Sequence, residues 1–306
     1  MGNGSSNTRI RTALSLRRGD SGSPRKILVL GCLGSGKSTL CRSLSKAANA
    51  PQPPFRLYKH TIENNLLEAY KAVFILARQM GVDINKYTAD LTILMTFRHK
   101  EDLHSTTIEA IRRLSKASTL MDFAREKNRV LDLPHNFFYL IQSTDRILAR
   151  NYDPTESDVL ACYSQTVGIN YHAIKMSNSK YELIELPGHH IFRRSWQDFF
   201  NDTTVIIFVI DLSDICRTAF YNKGHLQGKV KDILRSIVTH PLLSKTAFIL
   251  LFNKKDVLEE CSESFPFEQM GHGIKNSESA EKWYMEECLG VIPPTHRTAF
   301  MSSLRG

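Results

Sequence analysis

One octapeptide, GCLGSGKS (Gly31–Ser38), limits what this chain can fold into more than any other stretch. It fits the spacing G-x-x-x-x-G-K-[ST]. The apolar run KILVL before it reads as a buried strand. STLCRSL after it reads as a helix, stopped near NAPQPP (Asn49–Pro54). Strand, glycine-rich turn and helix in that order aim main-chain N–H groups and the positive end of a helix at one spot, which suits an anion. In such a loop Lys37 neutralises terminal phosphates and the Ser38 hydroxyl ligates Mg²⁺. Nucleotide binding in an α/β domain is the first expectation.

The rest of the chain fills in that domain and interrupts it. Three segments between Pro54 and Arg150 repeat apolar residues at helical spacing: Thr61–Gly81, Thr107–Arg125 and His135–Leu148. Thr61 is the expected N-cap of the first and Gly81 its terminator. No strand pattern lies among them. Strand patterns return at Ile169–Met176, Lys180–Leu186, Val205–Ile210 and Ala247–Phe252. The last two are continuous apolar runs of the kind buried on both faces of a parallel sheet. The expected division is a basic arm over 1–25, an α/β domain built from 26–50 and 151–306, and an all-helical insertion over 51–150.

Two further motifs refine the chemistry. FNKKD (Phe252–Asp256) closes the strand AFILL. A carboxylate there accepts both guanine N–H groups, and Asn253 reaches the ring edge. Adenine lacks that donor pair, so GTP is favoured over ATP and a P-loop kinase or ATPase is disfavoured. ELPGHH (Glu185–His190) follows another strand and places an acid, a glycine and a histidine where a GTP-hydrolysing switch needs an acid, a glycine and a water-positioning glutamine.

With GCLGSGKS, a helical insertion, YDPTESDVL, QTVGI, ELPG, TVIIFVIDLSD and LLFNKKD in this order, the chain resembles the heterotrimeric G-protein alpha subunits from about Lys26 to about Met301. The helical insertion separates that family from small Ras-like GTPases. The resemblance implies a Ras-like P-loop GTPase domain with a mostly parallel sheet, interrupted by an all-α domain. It implies GTP/GDP as bound nucleotide and Mg²⁺ as cofactor. Gly31, Gly34, Ser35, Gly36, Lys37, Ser38 and Thr39 would form the phosphate cradle. Ser38 and Thr166 would ligate the metal, and Gly188 would offer its N–H to the γ-phosphate. Asn253, Lys254 and Asp256 would hold guanine, with a backbone N–H from TAFM (Thr298–Met301) assigned to Ala299. Trp196 matches the family's switch II tryptophan. A beta-gamma dimer, a seven-helix receptor and an effector are the implied partners.

The departures from the family gather on catalysis. The family's hydrolytic arginine lies three residues before the switch I threonine, and here Tyr163 stands there. Such an arginine is worth ~10³–10⁵ in rate in GTPases generally. His189 replaces the water-orienting glutamine. It reads either as a water-holding imidazole or as a surface histidine beside His190. Leu33 replaces a small glycine in the loop, and Gly34 replaces the glutamate that pairs with the arginine. Pro187 replaces a flexing glycine, which stiffens the entry to switch II. Glu185 replaces an aspartate. AFYNKGHLQGKVK (Ala219–Lys231) is basic where the family's switch III is acidic, and His135 and Asn136 stand where the family carries Asp-Ser. The resemblance also implies a final receptor-engaging helix beyond Gly306, whose absence would expose apolar sheet surface. Two readings follow: a slow Mg²⁺-dependent GTPase, with His189 and Tyr163 as the catalytic candidates, or a GTP-loaded pseudo-GTPase scaffold.

Composition limits location and partners. The net charge of +9 favours anionic partners, phosphate or a membrane surface. Nucleic acid is not among the expected partners. No run is long enough to cross a bilayer, and no secretory leader opens the chain. MGNGSS fits the acylation pattern M-G-x-x-x-[ST] with Gly2 as acceptor. Arg9, Arg11, Arg17, Arg18, Arg25 and Lys26 add a basic stretch. Acyl chain and basic segment together would hold a cytoplasmic protein at the inner face of a membrane, while a disordered tail is the other reading. The six cysteines are scattered, with no CxxC pair and no histidine at metal-ligand spacing. Free thiols are expected, with neither a disulfide framework nor a zinc site.

Overall fold

The computed structural model describes residues 24–97, 103–127, 136–162, 168–176, 179–216, 226–261, 265–270, 272–296 and 298–302. The N-terminal arm with Gly2, the residues Tyr163 and Thr166, His135, and positions 219–225 of the basic segment lie outside them. The chain divides into two compact units, residues 1–52 with 165–306, and residues 53–164.

The first unit is built on a six-stranded sheet in the order β2-β3-β1-β4-β5-β6. Its strands are β1 (Arg25–Gly31), β2 (Asn170–Met176), β3 (Ser179–Glu185), β4 (Thr203–Asp211), β5 (Ala247–Asn253) and β6 (Thr298–Ser302). β2 pairs antiparallel with β3, and every other pairing is parallel. The mostly parallel sheet expected from the apolar runs is present.

Side-chain parity explains its two faces. Successive strand residues point to opposite sides. Leu28, Leu30, Ile206, Phe208, Ile210, Leu250 and Phe252 therefore join one core, with Val230, Leu234 and Ile237 of a following helix, Leu226–Val238. Ile27, Val29, Val205, Ile207, Val209, Ile249 and Leu251 face the other way. They pack with Leu40, Cys41 and Leu44 of α1 (Lys37–Ala47). At β5, Ile249 and Leu251 are 3% and 2% exposed within that cluster.

The second unit is helical. Its longest helix, α2 (Lys59–Gln79), buries Ile62, Leu66, Tyr70, Val73, Phe74 and Ala77 on one stripe. It starts earlier than Thr61, because a 3-10 turn, Phe55–Tyr58, leads directly into it. Gly81 does end it. Its φ of +75° sits in the left-handed region, and the chain turns back through the bond from Val82 N–H to the Ala77 carbonyl at 2.9 Å. The helix expected over Thr107–Arg125 is two, α4 (Ser105–Ser115) and α5 (Ser118–Lys127), after a shorter α3 (Thr88–Thr96). The segment His135–Leu148 likewise divides into α6 (Phe137–Gln142) and α7 (Thr144–Ile147), with Ser143 between them.

This unit continues past Arg150 because α8 (Glu156–Ala161) is tied to it by one buried carboxylate. Asp158 accepts both Arg146 Nη atoms at 2.7 Å, the Tyr139 hydroxyl at 2.7 Å and the Thr155 N–H at 2.8 Å. Burial alone would raise its pKa. The Arg146, Thr155 and Tyr139 hydrogen bonds outweigh that and hold the carboxyl well below the usual carboxylate range. Stability from this group is therefore complete above its unfolded pKa and lost as pH falls through the depressed folded value. Asp158→Ala is expected to destabilise the helical unit by about 3 kcal/mol, the low end for a broken buried ion pair, because Arg146 remains 43% exposed to water. Urea unfolding followed by circular dichroism measures it; a change under about 0.5 kcal/mol, the range of an ordinary surface substitution, would show the cluster to be ornamental. Among the described residues no helix is long and apolar enough to cross a membrane.

Candidate functional site

Parallel strands end at the same edge, so residues far apart in sequence meet at the carboxyl ends of β1, β3, β4 and β5. β1 delivers the loop Cys32–Gly36, and α1 begins at Lys37. Two glycines there combine a positive φ with no room for a side chain. Gly31 has φ of +146°, and a Cβ on it would run into the Val209 carbonyl of β4 and the Ser35 hydroxyl. Gly36 has φ of +99°, and a Cβ would strike the Asn253 amide. Gly34 also has positive φ, but open space around it. Leu33 projects from the loop and is 44% exposed.

Lys37 lies across this loop. Its Nζ donates to the carbonyls of Gly31 at 3.1 Å and Cys32 at 2.8 Å, and the residue is 5% exposed. Burial pushes its pKa down to about 8, against the opposing pull of Glu185. The ammonium therefore rests on neutral carbonyl oxygens. Ser35 is 1% exposed, and its hydroxyl has no hydrogen-bond partner among the described residues.

β3 contributes Glu185, which is 1% exposed. Its Oε1 accepts the Ser38 hydroxyl, and its Oε2 accepts the Asn170 amide of β2 at 3.0 Å. The extra methylene relative to aspartate therefore does not take the carboxylate away from Ser38. Gly188 is pressed against the loop: a Cβ there would strike Lys37 Nζ and lie 2.7 Å from both the carbon and the oxygen of the Cys32 carbonyl.

Beyond Gly188 a 3-10 helical segment, His190–Phe199, begins. The His189 side chain caps it, its Nδ1 accepting the Ile191 N–H at 3.4 Å. A neutral ring used in this way carries its proton on Nε2 and presents a donor on that side. Trp196 is buried, its Nε1 donating to the Pro187 carbonyl at 3.0 Å, so the segment is pinned at both ends of its first turns. Arg193 turns back to the loop. Its Nε donates to the Gly188 carbonyl at 3.3 Å, and Nη2 lies 3.6 Å from Cys32 Sγ.

At the other end of the edge stand β4 and β5. Asn253 Nδ2 donates to the Ser35 carbonyl at 2.9 Å, joining the NKKD segment to the loop. Lys254 has φ of +61° and forms an ion pair of 2.6 Å with Asp211, the last residue of β4. Asp256 lies in the first turn of α10 (Lys255–Cys261), the helix that follows Leu226–Val238 (α9). Ala299 is not at this edge. It lies within β6, level with Ile249, whereas Ser302 is level with Phe252 and is the β6 residue nearest the NKKD segment. TAFM is strand because Thr298–Ser302 pairs in parallel with Phe248–Phe252 of β5.

Of the residues expected from sequence, Gly31, Gly34, Ser35, Gly36, Lys37, Ser38, Gly188 and Asn253 come together at one edge. Thr39 lies one residue further into α1. In the second unit Asn136 donates to the Ala161 carbonyl at 2.7 Å. Sequence reading missed Asn170, Arg193 and Asp211. Asp211 had a signal, being the acid that ends an apolar strand. Asn170 and Arg193 had none, since each acts through a partner that only the fold brings near.

A family model described as "G-protein alpha subunit" matches residues 4–299. The chain is 25% identical over 258 residues to the "Guanine nucleotide-binding protein alpha-9 subunit" of Dictyostelium discoideum, covering 79% of this chain and 71% of that protein. It is also 25% identical over 251 residues to the "Guanine nucleotide-binding protein G(o) subunit alpha" of Locusta migratoria, covering 79% and 70%.

Proposed function

Because the chain belongs to the G-protein alpha-subunit family, we propose that it is a signal transducer that binds GTP and GDP with Mg²⁺ and hydrolyses GTP slowly. One observation carries the reading: the Lys37 ammonium is buried on two loop carbonyls, with Gly188 packed against it too tightly for any side chain. A buried cation on neutral oxygens, beside glycines that keep main chain close, is a site prepared for an anion. The unpartnered Ser35 hydroxyl supports the same fit.

In this reading Gly31, Gly34, Ser35, Gly36, Lys37, Ser38 and Thr39 cradle the phosphates, and Gly188 senses the γ-phosphate. Ser38 and Thr166 hold the metal. The Ser38 hydroxyl donates a hydrogen bond to Glu185, which makes its oxygen a better electron-pair donor. Mg²⁺, when bound, supplies charge neutralisation for the phosphate oxygens. Asn253, Lys254 and Asp256 select guanine, and the ion pair to Asp211 holds Lys254 in its left-handed conformation. Arg193 brings to the loop a guanidinium that position 163 lacks. His189 orients water as a donor. A beta-gamma dimer, a receptor and an effector are the partners this reading carries, with Gly2 acylation and the basic arm as the means of membrane association.

A second reading, a GTP-loaded scaffold without hydrolysis, is favoured by one observation: the His189 ring is engaged as a cap. Single-turnover hydrolysis of labelled GTP decides between them. The expected rate exceeds a GTP-only buffer control but stays below about 10⁻² s⁻¹, the general figure for alpha subunits that keep the arginine. Arg193→Ala is expected to lower it further. A rate equal to the control selects the scaffold. Competition by ATP as strong as that by GTP would overturn the nucleotide assignment itself.

A further inference from the structure

Three donor atoms that sequence spacing keeps far apart meet beside Ser38. They belong to Cys41 on α1, His172 on β2 and Glu185 at the end of β3, and all lie within 4.8 Å of one another. Cys41 is fully buried and Glu185 nearly so. His172 Nε2 is buried and has no hydrogen-bond partner among the described residues. An imidazole nitrogen enclosed without a partner loses free energy unless something fills its coordination.

We propose that Cys41, His172 and Glu185 form a binding site for a borderline-soft divalent cation, Zn²⁺, and that its occupation draws Glu185 away from Ser38. The donor set chooses the ion. Thiolate and imidazole suit zinc, whereas Mg²⁺ takes oxygen ligands. A tetrahedral zinc ion holds such donors roughly 3.3–3.7 Å apart, so donors within 4.8 Å of one another close by at most roughly 1.5 Å and leave a fourth position for water. Three protein ligands and one open position is an ordinary zinc arrangement.

The surroundings agree with this assignment. Burial pushes the His172 pKa down, against the opposing pull of Glu185. Burial, and then Glu185, pushes the Cys41 thiol up. On binding, zinc forms the Zn–S bond, and the thiol proton leaves to solvent. Thiolate and carboxylate together balance the ion's charge.

The consequence for the nucleotide site rests on the proposed GTP reading. Glu185 is the partner of the Ser38 hydroxyl, and loss of an outer-shell partner typically costs ~10–100-fold in metal affinity. Zinc at this site is therefore expected to raise the Mg²⁺ concentration needed for nucleotide binding by that factor.

Cobalt titration of the full chain, free of nucleotide, tests the site. One equivalent of Co²⁺ is expected to give a thiolate-to-metal charge-transfer band and tetrahedral ligand-field bands, displaced by Zn²⁺. Cys41→Val should abolish the thiolate band, and His172→Ala should weaken binding. No thiolate band in the wild-type protein, or one unchanged in Cys41→Val, overturns the site without depending on any variant's folding. The second arm titrates Mg²⁺ against a fluorescent GTP analogue with and without one equivalent of Zn²⁺. An unmoved Mg²⁺ midpoint overturns the sharing of Glu185. No analogue binding under any condition would instead overturn the GTP reading and leave the cobalt result standing.

Discussion

Lys37→Ala is expected to weaken GTP binding by a factor between ~30 and several thousand, since truncating one member of a buried, hydrogen-bonded charge pair costs about 2–5 kcal/mol. The position of the ammonium sets the size of the effect. It is 5% exposed and held by the Gly31 and Cys32 carbonyls, so its desolvation is already complete before an anion arrives. Glutamine at 37 would keep a donor but no charge, and should recover little. The pKa of about 8, lowered by burial, adds a pH signature. The protonated form attracts phosphate, and the free protein loses that proton as pH rises through about 8. Affinity should therefore be flat below this value and fall above it by up to about tenfold per pH unit. In Lys37→Ala the fall should vanish. Fluorescence titration with a GTP analogue between pH 6.5 and 9.5 measures both, and an alanine variant with wild-type affinity would remove Lys37 from the site.

Gly188→Ala comes next in size. A methyl group there would strike Lys37 Nζ and approach the Cys32 carbonyl to 2.7 Å. The ammonium can move, but the carbonyl is main chain anchored to β1 and cannot. The segment 186–189 must therefore lift away from the loop, or the loop must shift. Overpacking of this kind costs about 1–3 kcal/mol. The cost falls on the state in which Gly188 lies against the loop, which in the proposed reading is the GTP-bound one. The ratio of GDP to GTP dissociation constants should drop by roughly 5–150-fold, with GDP affinity little changed. Equal weakening of both nucleotides would show that Gly188 serves only the loop's packing and senses no γ-phosphate.

Much of the fold was legible because local pattern and global topology agree. The continuous apolar runs of β4 and β5 need cover on both faces, and only an interior position in a parallel sheet gives them that. Helix ends were less legible. Thr61 looked like an N-cap, but the 3-10 turn before it already satisfied the start of α2, so the helix began at Lys59. Thr107–Arg125 kept its helical period across Lys116 and Ala117, where the backbone nonetheless breaks, because periodicity reports which side faces the core and not whether the hydrogen-bond ladder is continuous. Ala299 was misplaced for a related reason. A short motif match at the end of the chain ignored that Thr298–Ser302 completes the ladder on β5.

The sequence by itself determined the P-loop, the helical insertion, the NKKD segment and the family to which they belong. Each is written in residues a few positions apart, where chain geometry fixes the mutual arrangement. It also located the departures from the family's pattern at 33, 34, 163 and 189. Only the tertiary structure decided how Glu185 is used, where Arg193 reaches, and that Cys41 and His172 stand beside that same carboxylate. Linear spacing had argued against a zinc site, since no cysteine has a histidine near it in sequence. Glu185 ends a strand parallel to β1, His172 lies on the antiparallel strand paired with it and Cys41 on the helix packed against that face, so the three side chains meet at distances that no local pattern encodes.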